Sequence, residues 1–566
     1  MTRITGADPI VYFAPWALLL VALALADSTQ LWDRDEAYYA RTAVEMLHGG
    51  DWLIPHFNSE TFAHKPPLGY WLISLSMVAL GESELAARLC SALALLATAL
   101  LTRRIAARLF DAETGRWSAV ILMTAILPLI LGSLAMLDMV LLMFITLGIW
   151  AFVEQIHQPK PWWRSGLWMT VAMGGSMLTK FPIGPVVLMS MVLTSLAIGR
   201  RSVWAGPLPL LATAAAMILG LAIFLAWAIP ADLASGGKML EVGLVQQVLS
   251  KVVHPMEGHG ASSLGGYLAL LPVYAPVLVI GFFPWAIHLP ASLAALLYRD
   301  IGGVRARAIL WGWIAPTFVM FSLAATKLPH YILPLFPAVA ILVAATLTAH
   351  RHGQLSDGSR AWLRGGAYLF GVMAAISMAA LPVIGWVSGG AQTLAQALVP
   401  AIALALSAAA VIRWQLREQL QPVNLMLMIA TPLILFASVY LVVLPLESRI
   451  KPGPAIASLL TPRIDPGTLV YAHGYREPGL VFYLRRPVEN PIRELPESAQ
   501  AIAAWSKEST PAMLIVPEQE LATIEAQTGP LDLARLGSVT TVNFNDHARE
   551  SRLLLVARRL PAVMSP

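Results

Sequence analysis

Long apolar runs separated by short polar turns dominate the first 443 positions of the chain. Runs of about 15 to 27 residues suit helices crossing a hydrocarbon layer of about 30 Å. They fall at 10–27, 84–102, 117–132, 138–154, 165–179, 183–199, 207–229, 267–293, 308–325, 331–349, 365–387, 393–411 and 422–443, thirteen in all. A further stretch, 66–80, starts Pro66-Pro67-Leu68-Gly69-Tyr70-Trp71 and would, as a fourteenth span, reverse every later loop. After position 443 the period changes. Short β-like runs at Thr468–Tyr471, Val481–Leu484, Met513–Val516 and Arg552–Val556 alternate with helical pattern such as Glu518–Gln527. The pattern predicts a polytopic α-helical membrane part over 1–443 and a small soluble α/β domain over 444–566.

Composition agrees with a membrane chain: 57% of the 566 residues are hydrophobic and 13% charged. Ordinary soluble domains are about a quarter charged. Cys90 is the only cysteine, which excludes intrachain disulfides, dithiol chemistry and zinc fingers. No glycine-rich phosphate loop is present, so nucleotide hydrolysis is not the expected energy source. No nucleic-acid partner is expected either.

The net charge of +5 informs less than where the charges stand. With 66–80 placed on the surface, one set of loops carries Arg3, the Arg103–Arg116 cluster, Lys160, Arg164, Arg200, Arg201, Arg299–Arg307, Arg351–Arg364, Arg413 and Arg417. The alternate loops carry fewer, among them Lys65, Lys180 and Lys327. The positive-inside rule then places the N-terminus in the cytoplasm and makes 66–80 an interfacial or re-entrant helix. Loop 28–83, the turn before Asp138, Lys180, loop 230–266, Lys327 and the tail all fall on the outer face.

That face gathers the candidate chemistry. Asp35 and Glu36 lie in Trp32-Asp33-Arg34-Asp35-Glu36-Ala37-Tyr38-Tyr39, just beyond the first apolar run. In a helix, Asp35 and Tyr39 share a face. Acidic residues in a first helical turn can also be simple dipole partners. Asp138 stands alone in an apolar segment, where a carboxylate is a functional candidate or an N-cap. Lys65, Lys180 and Lys327 each lie beside proline at a membrane boundary. Snorkelling explains Lys327, whereas Lys65 and Lys180 suit a phosphate-bearing substrate. Of the outer histidines, His64 with His259 is the pair to test for a divalent metal ion, with solvent-facing loop residues as the plainer reading.

The stretches just quoted, with Asp51–His56, His64-Lys65-Pro66-Pro67, Gly69-Tyr70-Trp71, Leu178-Thr179-Lys180, Phe283-Pro284-Trp285 and Lys327–Pro334, resemble the GT-C membrane glycosyltransferases. The branch resembled is the 4-amino-4-deoxy-L-arabinose transferases acting on lipid A, relatives of the protein O-mannosyltransferases. The resemblance runs from about residue 10 to 445. It implies a donor sugar on undecaprenyl phosphate, lipid A as acceptor, the periplasmic face of the bacterial inner membrane, and polymyxin resistance. It also implies that Asp35 is the first-loop catalytic aspartate, Asp138 the second-loop carboxylate, Lys65 the phosphate lysine, and Tyr331 a tyrosine near the donor. One position departs: His64 stands where relatives often carry Glu, and a histidine can ligate a metal but cannot serve as an anionic base. A transporter or flippase would need the same hydrophobic bulk. No internal repeat is visible, however, and the candidate residues cluster on one face rather than along a path.

Overall fold

The computed structural model describes residues 16–20, 23, 29–31, 34–157, 161–199, 208–250, 260, 263–417, 429–431, 433–434, 451–475, 477–496, 498–508, 510–543 and 549–558. Most of the expected spans 10–27 and 422–443 lies outside these residues, as does His259. Among the described residues, eight helices are long and apolar enough to cross a membrane, or nine with one bent pair counted as a span. Glu84–Leu109, Leu137–His157, Leu208–Ala234, Val304–Leu323 and Pro329–Arg351 match expected runs in place. Trp162–Lys180 and Ile183–Gly199 are helical but fall outside those eight.

Two expected spans differ. The run 117–132 forms Ala112–Thr124 and Ile126–Gly132, bent by 67° at Ala125, whose backbone is extended. The run 267–293 ends one helix at Gly281 and starts another segment, Trp285–Leu297. Pro284 has no N–H to continue the ladder, so the helix stops there. The two breaks satisfy each other: the Ile126 N–H donates to the Phe283 carbonyl at 3.2 Å, and the Trp285 indole donates to Thr124 Oγ1 at 2.8 Å. Inside a bilayer such backbone groups have no water to turn to.

The chain divides into two compact units. The first comprises Met1–Ala26, Ala63–Gly69 and Arg88–Val442. Its core is packed around helix Phe336–Arg351, which is apolar and buried on all sides except at its end. Arg108 makes a two-pronged pair with Glu154 at 2.8 and 3.1 Å, joining the ends of Glu84–Leu109 and Leu137–His157. The segment Asp357–Arg417 holds two spans that turn at Gly390, where φ is +70°. The Thr393 hydroxyl closes the turn on the Gly385 carbonyl at 2.6 Å. Gly366 lets the first of these spans touch the backbone of the Trp285–His288 turn: a Cβ there would lie 2.0 Å from the Ile287 carbonyl oxygen.

The second unit comprises Asp27–Phe62, Tyr70–Ala87 and Val443–Pro566. Much of loop 28–83, assigned from sequence to the membrane part, therefore packs with the tail. Helix Arg34–Gly49 is followed by a hairpin of β1 (His56–Phe57) and β2 (Glu60–Thr61). The hairpin turn holds Asn58 and Ser59 at positive φ, and their N–H groups both donate to the Glu45 carboxylate, at 2.8 and 2.9 Å. Arg41, almost fully buried, locks Glu45 at 2.6 Å and donates to the Arg486 carbonyl. In the tail, β3 (Leu469–Ala472), β4 (Arg493–Glu494), β5 (Ala512–Pro517), β6 (Ala534–Asn543) and β7 (Arg549–Ala557) form one sheet. Its order is β4-β3-β5-β7-β6, parallel from β4 to β5 and antiparallel beyond.

Three of the four expected strands are present. Val481–Leu484 instead belongs to helix Pro478–Leu484. Pro478 at its first turn favours a helix start, and Leu480, Val481 and Leu484 bury one face. Strand β6 has no counterpart among the expected runs.

Candidate active site

Asp138 lies in the first turn of helix Leu137–His157 and is 7% exposed. It is not the cap. It lies inside the helix, and its carboxylate turns to side chains from other elements. Its Oδ1 accepts from Lys180 Nζ at 2.8 Å. Lys180 closes helix Trp162–Lys180, which ends because Phe181-Pro182 follows. His330 Nε2 stands 4.0 Å from Asp138 Oδ2. His330 and Tyr331 come from the 3₁₀ turn Pro329–Leu335, fixed by the Trp313 indole donating to the Pro334 carbonyl at 2.9 Å. The Tyr331 ring faces the Lys180 ammonium at 5.2 Å, a cation–π distance. Lys65 Nζ donates to Gln247 Oε1 at 3.4 Å.

Lys65, Asp138, Lys180 and Tyr331 share one cavity of about 730 Å³, with His330 behind Asp138. His64, Lys65, Asp138, Lys180, Tyr331, Asp232 and Gln247 supply its polar atoms. The remaining wall is almost wholly apolar, drawn chiefly from Leu208–Ala234 and the π-helix Met239–Ser250. Phe181 stacks on Phe224 at 4.8 Å, and Trp227 packs beside it. The site thus offers cations, one buried carboxylate and a long greasy wall. Such a surface fits a ligand with an anionic head and an apolar tail.

Asp35, Glu36 and Tyr39 lie in the second unit, in helix Arg34–Gly49. Glu36 and Tyr39 are buried and Asp35 is half-buried. The Tyr39 and Tyr70 rings are 5.9 Å apart. Burial, and then the charge of Asp35, push the Tyr70 phenol well above its ordinary pKa, and its buried hydroxyl has no hydrogen-bond partner among the described residues. Lys327 has a structural task. It donates to the Phe321 and Ser322 carbonyls at the end of helix Val304–Leu323, and burial lowers its pKa. Three residues of the polar cluster escaped the sequence reading. His330 lies within the Lys327–Pro334 stretch with no role of its own there, and Asp232 and Gln247 belong to Leu208–Ala234 and Met239–Ser250, in a region whose sequence carries no motif.

Superposition on solved structures gives a TM-score of 0.75 over 99% of this chain and 100% of ArnT from Cupriavidus metallidurans bound to undecaprenyl phosphate, at 20% identity. The apo form of that protein gives 0.73. The chain has the GT-C fold. A family model described as dolichyl-phosphate-mannose-protein mannosyltransferase matches residues 64–227, a stretch of this GT-C chain that begins at His64 and contains Lys65, Asp138 and Lys180. Among curated proteins, an undecaprenyl phosphate-alpha-4-amino-4-deoxy-L-arabinose arabinosyl transferase of Sodalis glossinidius is 30% identical over 56% of the chain and 55% of the relative. A namesake from Pectobacterium carotovorum is 28% identical over 67% and 66%. The chain spans little more than half the length of the first curated relatives it matches. The GT-C chain is thus a multi-span membrane protein whose relatives carry the names of aminoarabinose transferases.

Proposed function

We propose that this chain transfers 4-amino-4-deoxy-L-arabinose from undecaprenyl phosphate to a lipid A phosphate, at the periplasmic face of the bacterial inner membrane. The observation that carries the reading is the single cavity in which Lys65, Lys180 and Asp138 meet a wall suited to a polyprenyl tail. The names of the relatives supply the sugar and its carrier. Lys65 and Lys180 hold the donor phosphate and stabilise the negative charge that grows on it as the glycosidic bond breaks. The Tyr331 ring keeps the Lys180 ammonium at the site. A glycosyl phosphate carries its own leaving group, so no nucleotide is needed there.

An acceptor phosphate is already anionic and needs little deprotonation. Asp35, with Glu36 and Tyr39 on its helix, accordingly positions the acceptor or the sugar amine rather than acting as a strong base. Direct displacement at the anomeric carbon inverts its configuration. Among the described residues no three His, Cys, Asp or Glu side chains form a metal-holding group. His64 lines the cavity.

The soluble α/β domain and the acidic helix lie in the periplasm in this reading, with the N-terminus in the cytoplasm. The deciding experiment is mass spectrometry of lipid A from cells with and without the protein. An aminopentose increment that depends on the protein is the expected result, together with polymyxin resistance. An unchanged lipid A profile sinks the reading. The description of the matching family model favours a second acceptor, a protein hydroxyl. Incubation with a serine/threonine peptide beside lipid A separates the two.

A further inference from the structure

We infer that His330 is a positioning residue that takes over Asp138 when Lys180 turns to the donor phosphate. The inference rests on the transfer reading above and adds to it a residue that neither the sequence patterns nor the relatives assign. Lys180 cannot give full strength to two anions at once. In the structure its ammonium is committed to Asp138 Oδ1 at 2.8 Å. Its side chain is 16% exposed and that of Asp138 8%. Stripping a buried carboxylate of its cation is strongly unfavourable. The ammonium has three N–H donors but one charge, so it leans toward a phosphate at least cost when Asp138 gains a second partner.

His330 is placed for that exchange. It stands on the opposite carboxylate oxygen, 4.0 Å away, close enough to tighten to a hydrogen bond with a small rotation of either side chain. Its backbone is rigid, because the Pro329–Leu335 turn is tied through Pro334 to Trp313. Its ring packs edge to face on Tyr331 at 5.1 Å, and Tyr331 faces Lys180. The ammonium thus keeps an aromatic neighbour whichever anion it serves. Asp138, Lys180 and Tyr331 line the cavity, and His330 acts through Asp138.

The test uses the full-length protein in lipid nanodiscs with undecaprenyl phosphate alone as the probe. Binding is measured for the wild type, His330→Leu, His330→Gln, Lys180→Met and the His330→Leu/Lys180→Met double variant. His330→Leu is expected to weaken binding about tenfold, within the range for neighbours in one network. His330→Gln, which still offers an N–H to Asp138, restores most of it. In the Lys180→Met background, His330→Leu adds almost nothing, because no exchange remains to be assisted. A purely structural histidine would give additive losses instead. Should His330→Leu not fold, His330→Asn, whose shorter amide falls short of Asp138, takes its place with the same expected loss. Wild-type affinity in the leucine or asparagine variant, or additive effects with Lys180→Met, overturns the inference alone. Failure of the wild type to bind the probe at all removes the transfer reading beneath it.

Discussion

Replacing Lys65 with methionine removes one positive charge from the cavity while keeping nearly the same shape. The structural cost is small, because the side chain is only half-buried and its hydrogen bond to Gln247 is long, at 3.4 Å. The electrostatic cost is not. A charge-assisted hydrogen bond to a phosphate contributes about 1.5–3 kcal/mol net. The bare Coulomb attraction at about 4 Å reaches about 4 kcal/mol at an effective dielectric constant near 20. With 1.4 kcal/mol to each factor of ten, Lys65→Met should weaken donor binding about 10- to 100-fold. The assay is transfer from undecaprenyl-phosphate-linked aminoarabinose to lipid A in proteoliposomes, with the donor titrated. KM for the donor should rise while the melting temperature stays within a degree or two. Arginine at this position should retain part of the function, whereas methionine should not. An unchanged donor KM in Lys65→Met would refute the assignment of this cavity as the phosphate site.

Three other perturbations test separate parts of the account. Asp138→Asn keeps shape but removes the charge that holds Lys180, and it should abolish measurable transfer while the protein still folds and inserts; near-normal turnover by membranes carrying it would contradict the role. Gly366→Ala drives a Cβ into the Ile287 carbonyl, and such overpacking should cost about 1–3 kcal/mol, read as a lower melting temperature in detergent. Burial alone would raise the Asp300 pKa, but hydrogen bonds from the Ser356 hydroxyl and N–H and the Ser359 hydroxyl hold it below the usual range. A carboxyl lowered in the folded state stabilises above its unfolded pKa of about 3.9 and loses that contribution as pH falls through the lowered value. The Ser356→Ala/Ser359→Ala variant should therefore melt below wild type at neutral pH, with the gap closing in acid; a gap constant with pH would rule out this linkage.

The cavity residues that sequence made visible were those whose charge had no ordinary reason to be there. Asp138 stands in an otherwise apolar segment, and Lys65 and Lys180 sit on a side poor in cations. The apolar wall was invisible for the opposite reason. Every helix in a bilayer is greasy, so nothing distinguishes Leu221 or Phe224, which face a cavity, from residues that face lipid. His330 was hidden by adjacency: its neighbour Tyr331 carried the motif, and a histidine's partner across the fold leaves no trace in spacing. The strand expected at Val481–Leu484 failed because a short apolar run cannot by itself separate strand from buried helix. Here Pro478 held the answer. The grouping of 27–62 and 70–87 with the tail is non-local, and contacts such as Asn58 with Ile492 have no signature in either segment alone.

The coupled interruptions at Ala125 and Phe283 carry a consequence for how this scaffold can change. A substitution that straightened the first helix would withdraw the Ile126 donor and strand the Phe283 oxygen in hydrocarbon; one that repaired the second would orphan the Trp285 indole, since Thr124 keeps its own bond to the Val120 carbonyl. Neither kink can be inherited without the other. The two irregularities are tied together, so a change that straightens one should be rescued chiefly by a change at the other.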